Sequence, residues 1–127
     1  MISFESFTPT VGIPIYLQII LYLKRGMAAG TIADGDELPS RRVLSALLGV
    51  NPNTIQKAYR LLEEEGLIRS HAGAKSYVSV TGAQMARIRT QLLEADAGSL
   101  VEAMKQMGVT REEALGLIAK LWEGGTL

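Results

Sequence analysis

The sequence predicts a mainly α-helical fold with one small β-hairpin, in a chain of 127 residues. Apolar side chains recur at helical spacing on both sides of a short central segment, and that segment alternates as a hairpin does. Pro, Asn, Ser or Gly stands at most of the predicted helix ends. A chain of this length can bury a core without disulfides or metal. We expect residues 1–81 to form one domain and residues 82–127 a short helical segment.

The composition excludes several kinds of chemistry. The sequence has no cysteine and a single histidine, His71. Thiol catalysis, zinc ribbons, iron–sulfur clusters and sites built from several histidines are therefore excluded. The chain also lacks a recognisable nucleophile–base pair and a phosphate-binding loop. We expect no enzyme activity, no cofactor and no bound metal.

The N-terminal residues do not have the basic and apolar regions of a secretory signal. The longest apolar stretch, residues 11–23, contains Pro14 and Gln18 and is shorter than the ~20 residues that span a bilayer. We expect a soluble, cytoplasmic protein that does not contact the membrane.

Charge is distributed unevenly along the chain, although 13 Lys and Arg balance 13 Asp and Glu overall. Residues 40–80 carry six basic and three acidic side chains, whereas the segments on both sides are net acidic. A positive charge confined to the middle of the chain indicates a directed basic patch.

The first predicted helix covers residues 14–29, with Pro14 in its first turn and Gly30 beyond its end. It is apolar on nearly all sides, because only Gln18, Lys24 and Arg25 form a narrow polar stripe. We expect it to pack on its own domain and also on something else.

Two short helices are predicted next, residues 41–48 and 52–65, with Gly49 between them. Ser40 caps the first, and Asn51 and Pro52 begin the second. The first helix should bury an apolar stripe made of Val43, Leu44, Leu47 and Leu48. The second should bury Ile55, Ala58, Tyr59, Leu61 and Leu62. Its opposite face is polar and consists of Asn53, Gln56, Lys57 and Arg60.

A hairpin and a helical tail complete the prediction. Residues 67–69 and 76–80 read as two strands joined by residues 71–75, and residues 35–39 read as a loop. A helix should cover residues 82–97. Capping boxes at Ser99-x-x-Glu102 and Thr110-x-x-Glu113 should begin two more helices.

Two helices joined at a glycine and followed by a hairpin are the layout of a winged helix-turn-helix, in which the hairpin is the wing. The second helix of this motif enters the major groove of DNA with its N-terminal residues nearest the bases. Asn and Gln amides pair with adenine and Lys with guanine. The acidic run of residues 63–65 would repel DNA, but it lies roughly 18 Å along the helix from Pro52.

Four motifs stand in order along residues 10–80: Pro14-Ile15-Tyr16-x-Gln18-Ile19, Leu38-Pro39-Ser40-x-Arg42-x-Leu44, Leu48-Gly49-Val50-Asn51-Pro52-Asn53-Thr54 and Glu65-Gly66-Leu67-Ile68. In these motifs the chain resembles the N-terminal domain of GntR-family bacterial transcription regulators. The helix start at Asn51 and the short helical tail resemble the YtrA-like branch, whose tail is a dimerisation element.

The resemblance implies roles for individual residues. Arg42 matches an arginine that touches DNA from the first helix of the motif, and Gly73 matches the glycine at the tip of the wing. Recognition-helix contacts fall on Asn51, Asn53, Thr54 and Gln56. The wing departs from the family pattern because Lys75 replaces its second glycine. The family also makes repression the expected outcome of binding.

Two functional surfaces are predicted. The DNA-binding residues are Arg41, Arg42, Asn51, Pro52, Asn53, Thr54, Gln56, Lys57, Arg60, His71, Gly73 and Lys75. The dimerisation residues are Tyr16, Ile20, Leu23, Met85, Ile88, Leu92, Leu117, Leu121 and Trp122. A small-molecule effector between the tail helices is an alternative use of the second surface.

We therefore predict a sequence-specific transcriptional regulator, a repressor, that binds an inverted-repeat operator in double-stranded DNA as a homodimer. The alternative is a winged-helix module that binds protein instead of DNA. The neutral overall charge and the acidic run favour that alternative, whereas Arg42 and the helix start at Asn51 oppose it. An enzyme is the third class, and the sequence offers it no catalytic residues.

Overall fold

The structure, a computed structural model, describes residues 1–71 and 75–125. The chain forms two compact units, Met1–Thr90 and Gln91–Leu127. The helices are α1 (Ile15–Ala29), α2 (Arg41–Leu48), α3 (Pro52–Glu64), α4 (Gly82–Gln106) and α5 (Arg111–Trp122). The strands are β1 (Glu37–Leu38), β2 (Ile68–Ser70) and β3 (Ser76–Val78). The predicted mainly helical fold with a small antiparallel wing is confirmed.

The wing contains a third strand that the sequence did not predict. β3 lies in the centre of the sheet and pairs antiparallel with β2 on one side and β1 on the other, with Glu37 opposite Tyr77. We expected residues 35–39 to be a loop. Two residues are too few to show alternation, so β1 becomes a strand only through its pairing with β3.

The predicted caps of the two central helices are present. The Ser40 hydroxyl oxygen accepts from the Val43 amide at 3.1 Å, and the Asn51 side-chain oxygen accepts from the Asn53 amide at 2.8 Å. Gly49 ends α2 in the left-handed conformation, with φ +67°. Glycine adopts this conformation without the steric cost of a Cβ atom. The chain can therefore turn directly from α2 towards α3.

The buried side of α2 differs from the expected one. Leu44 and Ser45 are buried, whereas Val43 and Leu47 are 56% and 65% exposed. The Ser45 hydroxyl donates to the Val50 carbonyl at 2.5 Å. The predicted stripe is therefore right for Leu44 and wrong for Val43 and Leu47, while Leu48 is half-buried.

α4 is one continuous helix, so the capping box expected at Ser99 is wrong. Ser99 lies inside α4, and Gly98 before it does not interrupt the helix. The cap that begins α4 is instead formed by Thr81 and Gln84. The Gln84 backbone N–H donates to the Thr81 hydroxyl oxygen at 3.1 Å. The Gln84 side-chain oxygen accepts from the Thr81 backbone N–H at 2.8 Å. The predicted capping box of Thr110 and Glu113 is present at the start of α5.

The core of the first unit lies between α1, α3 and the sheet. It is filled by fully or nearly fully buried apolar side chains, among them Ile19, Leu23, Met27, Leu38, Leu44, Ile55, Tyr59, Leu62, Ile68 and Val78. This core corrects three expected dimer contacts. Ile20, Leu23 and Ile88 are 8%, 0% and 5% exposed. Since the first unit already covers them, these side chains are core residues.

The N-terminal residues pack on part of the apolar surface of α1 that faces away from the core. The Phe4 and Phe7 rings lie 4.8 and 5.5 Å from the Tyr22 ring, between ring centres. The Tyr22 hydroxyl donates to the Ser3 carbonyl at 2.7 Å. An aromatic cluster thus fixes the first residues of the chain on α1. None of the helices in the described residues is long and apolar enough to cross a membrane.

Gly26 packs against Ile32 at the end of α1, which gives a stability prediction. A Cβ atom at Gly26 would lie 2.7 Å from Ile32 Cγ1, and Ile32 is buried. Gly26→Ala should lower the free energy of unfolding by up to about 2 kcal/mol, because overpacking costs about 1–3 kcal/mol and the gain in helix propensity returns about 1 kcal/mol. Gly82→Ala is the control, since its added Cβ meets nothing within 4 Å. Urea unfolding measures both, and equal stability of the two variants would contradict the packing described.

Candidate nucleic-acid interface

α3 presents a polar face to solvent and an apolar face to the core, as predicted, although Leu61 of the expected apolar face is half-buried. Its buried residues are Ile55, Ala58, Tyr59 and Leu62, and its exposed polar residues are Asn53, Gln56, Lys57 and Arg60. Neighbouring residues are about 100° apart around an α-helix. Asn53 and Arg60 therefore follow the centre of the exposed face, and Gln56 and Lys57 lie on its two edges.

The start of α3 is held by its own capping contacts. The Asn51 side-chain oxygen is used by the cap, so its amide nitrogen is the group left for other contacts. Pro52 occupies the first turn and is exposed, and Thr54 is half-buried. The helix N-terminus carries a partial positive charge that favours phosphate. Asn51 and Asn53 are both exposed, and of these two only the Asn51 side chain makes a capping contact among the described residues, so Asn53 keeps both amide groups for other partners.

The two arginines that begin α2 have different surroundings. The Arg41 guanidinium carbon lies 5.5 Å from the centre of the Tyr59 ring, and Arg41 Nε is buried without a hydrogen-bond partner among the described residues. The Tyr59 hydroxyl donates to the Pro39 carbonyl at 2.8 Å. Burial raises the pKa of Tyr59, and the Arg41 charge opposes this only in part. Arg42 is exposed, and is therefore the more open cation of the two.

Lys57 and Arg60, the two cations of α3, each contact a neighbouring side chain. The Lys57 ammonium lies 4.0 Å from the centre of the Tyr16 ring. Arg60 Nη1 lies 3.1 Å from Glu64 Oε1, and both side chains are more than half exposed. An exposed pair of this kind contributes about 0.3–0.5 kcal/mol. Arg60 can therefore exchange Glu64 for a phosphate at little cost.

Each glutamate of the acidic run Glu63–Glu65 interacts within the first unit. Glu63 Oε2 accepts from the Ser70 amide at 3.1 Å, and Glu65 Oε1 lies 2.9 Å from the Lys24 ammonium. Glu64 pairs with Arg60. The acidic run thus ties the end of α3 to β2 and α1, and two of its charges have basic partners. This contact set weakens the sequence argument against DNA binding.

The wing places two of its expected residues at one end of the hairpin. The His71 amide donates to the Lys75 carbonyl at 2.8 Å, and both residues are exposed. The His71 ring lies edge-on to the Tyr77 ring, 5.1 Å away between centres. Gly73, the expected wing-tip glycine, lies outside the described residues. His71 and Lys75 are two described positions from which the hairpin can approach DNA.

Arg69 is a further candidate, which the sequence did not predict. It is exposed on β2, and its Nη2 donates to the Ser79 hydroxyl at 3.2 Å. The available signal was a basic side chain in a predicted strand of the wing, because burial does not alternate here: Arg69 and Ser70 are both exposed. Arg69 adds a further cation to the outer side of the wing.

The second unit, Gln91–Leu127, exposes many apolar side chains. The end of α4 and α5 border an open groove of about 380 Å³, whose apolar lining includes Val101, Met104, Val109, Ala114, Leu115 and Ile118. Of the expected dimer residues here, Leu121 and Trp122 are 51% and 86% exposed. Leu92 and Leu117 in this unit are half-buried, as are Tyr16 and Met85 in the first unit.

The fold and the exposed face of α3 define a class. α2 and α3 meet at Gly49 and precede an antiparallel wing, with amides and cations along the outer side of α3. This is the winged helix-turn-helix of DNA-binding transcription regulators. Residues 15–78 match the family of bacterial regulatory proteins, gntR family. The chain belongs to this family, whose members are transcription regulators and not enzymes.

Two curated relatives extend the similarity beyond the winged domain. The chain is 36% identical to the HTH-type transcriptional repressor YtrA of Bacillus subtilis over 91% of its own length and 84% of that protein. It is 32% identical to the HTH-type transcriptional regulator YhcF of the same organism, over 88% of its own length and 93% of YhcF.

A solved structure supports the fold. The chain resembles a GntR family transcriptional regulator from Listeria monocytogenes with a TM-score of 0.79 and 29% sequence identity. The match covers 88% of this chain and 98% of that one. The likeness therefore includes most of the helical tail as well as the winged domain.

Proposed function

We propose that the protein is a transcriptional repressor that binds an inverted-repeat operator sequence-specifically as a homodimer. In this proposal residues 1–81 bind DNA and residues 82–127 hold two copies together. The main support for this proposal is the exposed face of α3, which has two amides, Asn53 and Gln56, and two cations, Lys57 and Arg60. This helix follows the turn at Gly49 and precedes the wing, as the recognition helix of a winged helix-turn-helix does.

The amides and the cations have different tasks. Asn53 and Gln56 read bases, since a carboxamide can donate to and accept from adenine N6 and N7 at once. Arg42 and the helix N-terminus contact phosphates, which fixes the position of α3 in the groove without reading sequence. Lys75 and His71 extend the contact from the wing.

The apolar surface of the second unit supports a homodimer. Leu100, Leu115, Leu121 and Trp122 are each 45% or more exposed. A surface of this kind on a soluble protein marks an interface, and a second copy offers an equally apolar partner. A two-fold dimer presents two copies of α3 in opposite senses. The operator should therefore be an inverted repeat with half-site centres about 34 Å, or a multiple of 34 Å, apart.

Repression is supported by the relatives and by mechanism. Of the two Bacillus subtilis relatives, YtrA is named a transcriptional repressor. A dimer that covers a promoter sequence excludes other proteins from it, and needs no further surface to do so. The protein-interaction alternative loses one of its two supports, because the acidic run interacts within the first unit.

Transcription in vitro tests the proposed function. An inverted repeat selected from random duplexes is placed across a promoter, and transcript is measured with and without the protein. We expect the transcript to fall with protein concentration, and a promoter with a scrambled repeat to be unaffected. Unchanged or increased transcript at concentrations that occupy the site would contradict a repressor.

A further inference from the structure

Lys57 on α3 and Tyr16 on α1 form a cation–π contact. The Lys57 ammonium lies 4.0 Å from the centre of the Tyr16 ring, near the start of α1. Tyr16 is half-buried and Lys57 is exposed. Among the described residues, this ring is the neighbour that the ammonium contacts. The three N–H donors of the Lys57 ammonium are therefore free of protein acceptors in the described part of the chain.

The contact with Tyr16 sets the direction of the Lys57 side chain, and that direction decides which part of a bound DNA the ammonium can contact. Lys57 is on one edge of the exposed face of α3 and Gln56 on the other, about 100° apart. The contact with Tyr16 draws the ammonium towards α1 and away from the centre line of Asn53 and Arg60. The phosphate backbone borders the groove at the sides of the helix, so an ammonium held against Tyr16 on the α1 side of α3 lies towards a phosphate.

A lysine that is already held in place also loses less entropy on binding. A free lysine has four rotatable bonds, and ordering them on binding opposes association. A cation held over an aromatic ring is already confined before DNA arrives, and ring contacts of this kind are worth about twofold to fivefold in an equilibrium at exposed sites.

We infer that Tyr16 is a positioning residue for DNA binding: its ring holds the Lys57 ammonium at the α1 edge of α3, where Lys57 contacts a backbone phosphate. The inference rests on the proposed function. It revises two sequence expectations, since Tyr16 then serves the DNA interface instead of the dimer surface and Lys57 contacts phosphate instead of guanine.

The first test needs no DNA and uses the full chain. The Lys57 ε-methylene protons, placed over a ring, should resonate upfield of an unperturbed lysine in the NMR spectrum. Tyr16→Phe keeps the ring and should keep this shift, whereas Tyr16→Leu should abolish it. An unshifted Lys57 in the wild-type protein would overturn the inference, whatever the protein does with DNA.

The second test measures binding to a selected duplex and to a random-sequence duplex as a function of salt. Tyr16→Leu should weaken binding to both about twofold to fivefold, and Tyr16→Phe should bind as the wild type does. Lys57→Met should lower the salt slope by about 0.9 for each phosphate that the ammonium neutralises. In the Lys57→Met background, Tyr16→Leu should have little further effect.

Three results would overturn the inference while the wild type still binds its operator. One is a Tyr16→Phe variant as weak as Tyr16→Leu, which would mean that the hydroxyl acts. Another is a change of base preference in Lys57→Met, which would make Lys57 a base reader. The third is dissociation of the dimer by Tyr16→Leu in sedimentation. A wild type without specific binding would instead contradict the proposed function.

Discussion

Leu121→Glu is expected to split the homodimer and to weaken operator binding by at least about a hundredfold. Leu121 is 51% exposed on α5, beside Trp122 at 86%. A carboxylate in an apolar interface loses its hydration without gaining a partner. Two linked binding modules gain about 10²-fold to 10⁴-fold over one, and a monomer loses that gain. The effect on DNA affinity should therefore exceed that of removing any single DNA contact.

Sedimentation equilibrium measures the dimer, and fluorescence anisotropy with a labelled operator measures the affinity. Gly116→Glu is the matched control, because it adds the same charge to an exposed residue on the polar side of α5, one turn from Glu112 and Lys120, where an added Cβ meets nothing within 4 Å. The control should remain dimeric and bind normally. A Leu121→Glu protein that stays dimeric, or a Gly116→Glu protein that dissociates equally, would contradict the proposed interface.

Asn53→Ala is expected to abolish the preference at one base position in each half-site, with a loss of about 1–3 kcal/mol per base pair on the preferred sequence. Asn53 is at the centre of the exposed face of α3, next to the N-cap. Truncation to alanine removes both hydrogen bonds of a carboxamide to adenine. Sequences that carry another base at that position should lose little affinity.

Arg42→Ala provides the comparison that separates base contacts from phosphate contacts. It should weaken binding to all sequences similarly and lower the salt slope by about 0.9 for each phosphate that the guanidinium neutralises. Competition among duplexes that vary at each half-site position measures both effects. Uniform weakening by both variants would mean that Asn53 does not read a base.

Local features of the fold could be predicted from the sequence because they depend on few neighbours. The caps at Ser40 and Asn51 and the turn at Gly49 need only adjacent residues. The polar face of α3 follows from helical spacing alone. β1 could not be predicted because it depends on pairing with β3, and the exposure of Val43 and Leu47 could not because it depends on how α2 packs within the first unit.

The same distinction holds for the candidate interface. The residue types on α3 indicated DNA, but where each cation lies depends on which helices cross beside it. The contacts of Lys57 with Tyr16 and of Arg41 with Tyr59 join residues far apart in sequence. The pairing of Glu65 with Lys24 is equally non-local. Charge counting treated these side chains as free, and packing between α1, α2 and α3 corrects that view.

Selection of binding sites from a random duplex pool tests most directly whether the protein reads DNA as a homodimer. At ~100–150 mM salt, non-specific attraction to phosphate is already weakened, so enrichment reports base reading. We expect an inverted repeat whose half-site centres are about 34 Å, or a multiple of 34 Å, apart. A folded, dimeric protein that enriches no sequence, or enriches a single unrepeated site, would contradict a homodimer that reads DNA through two copies of α3.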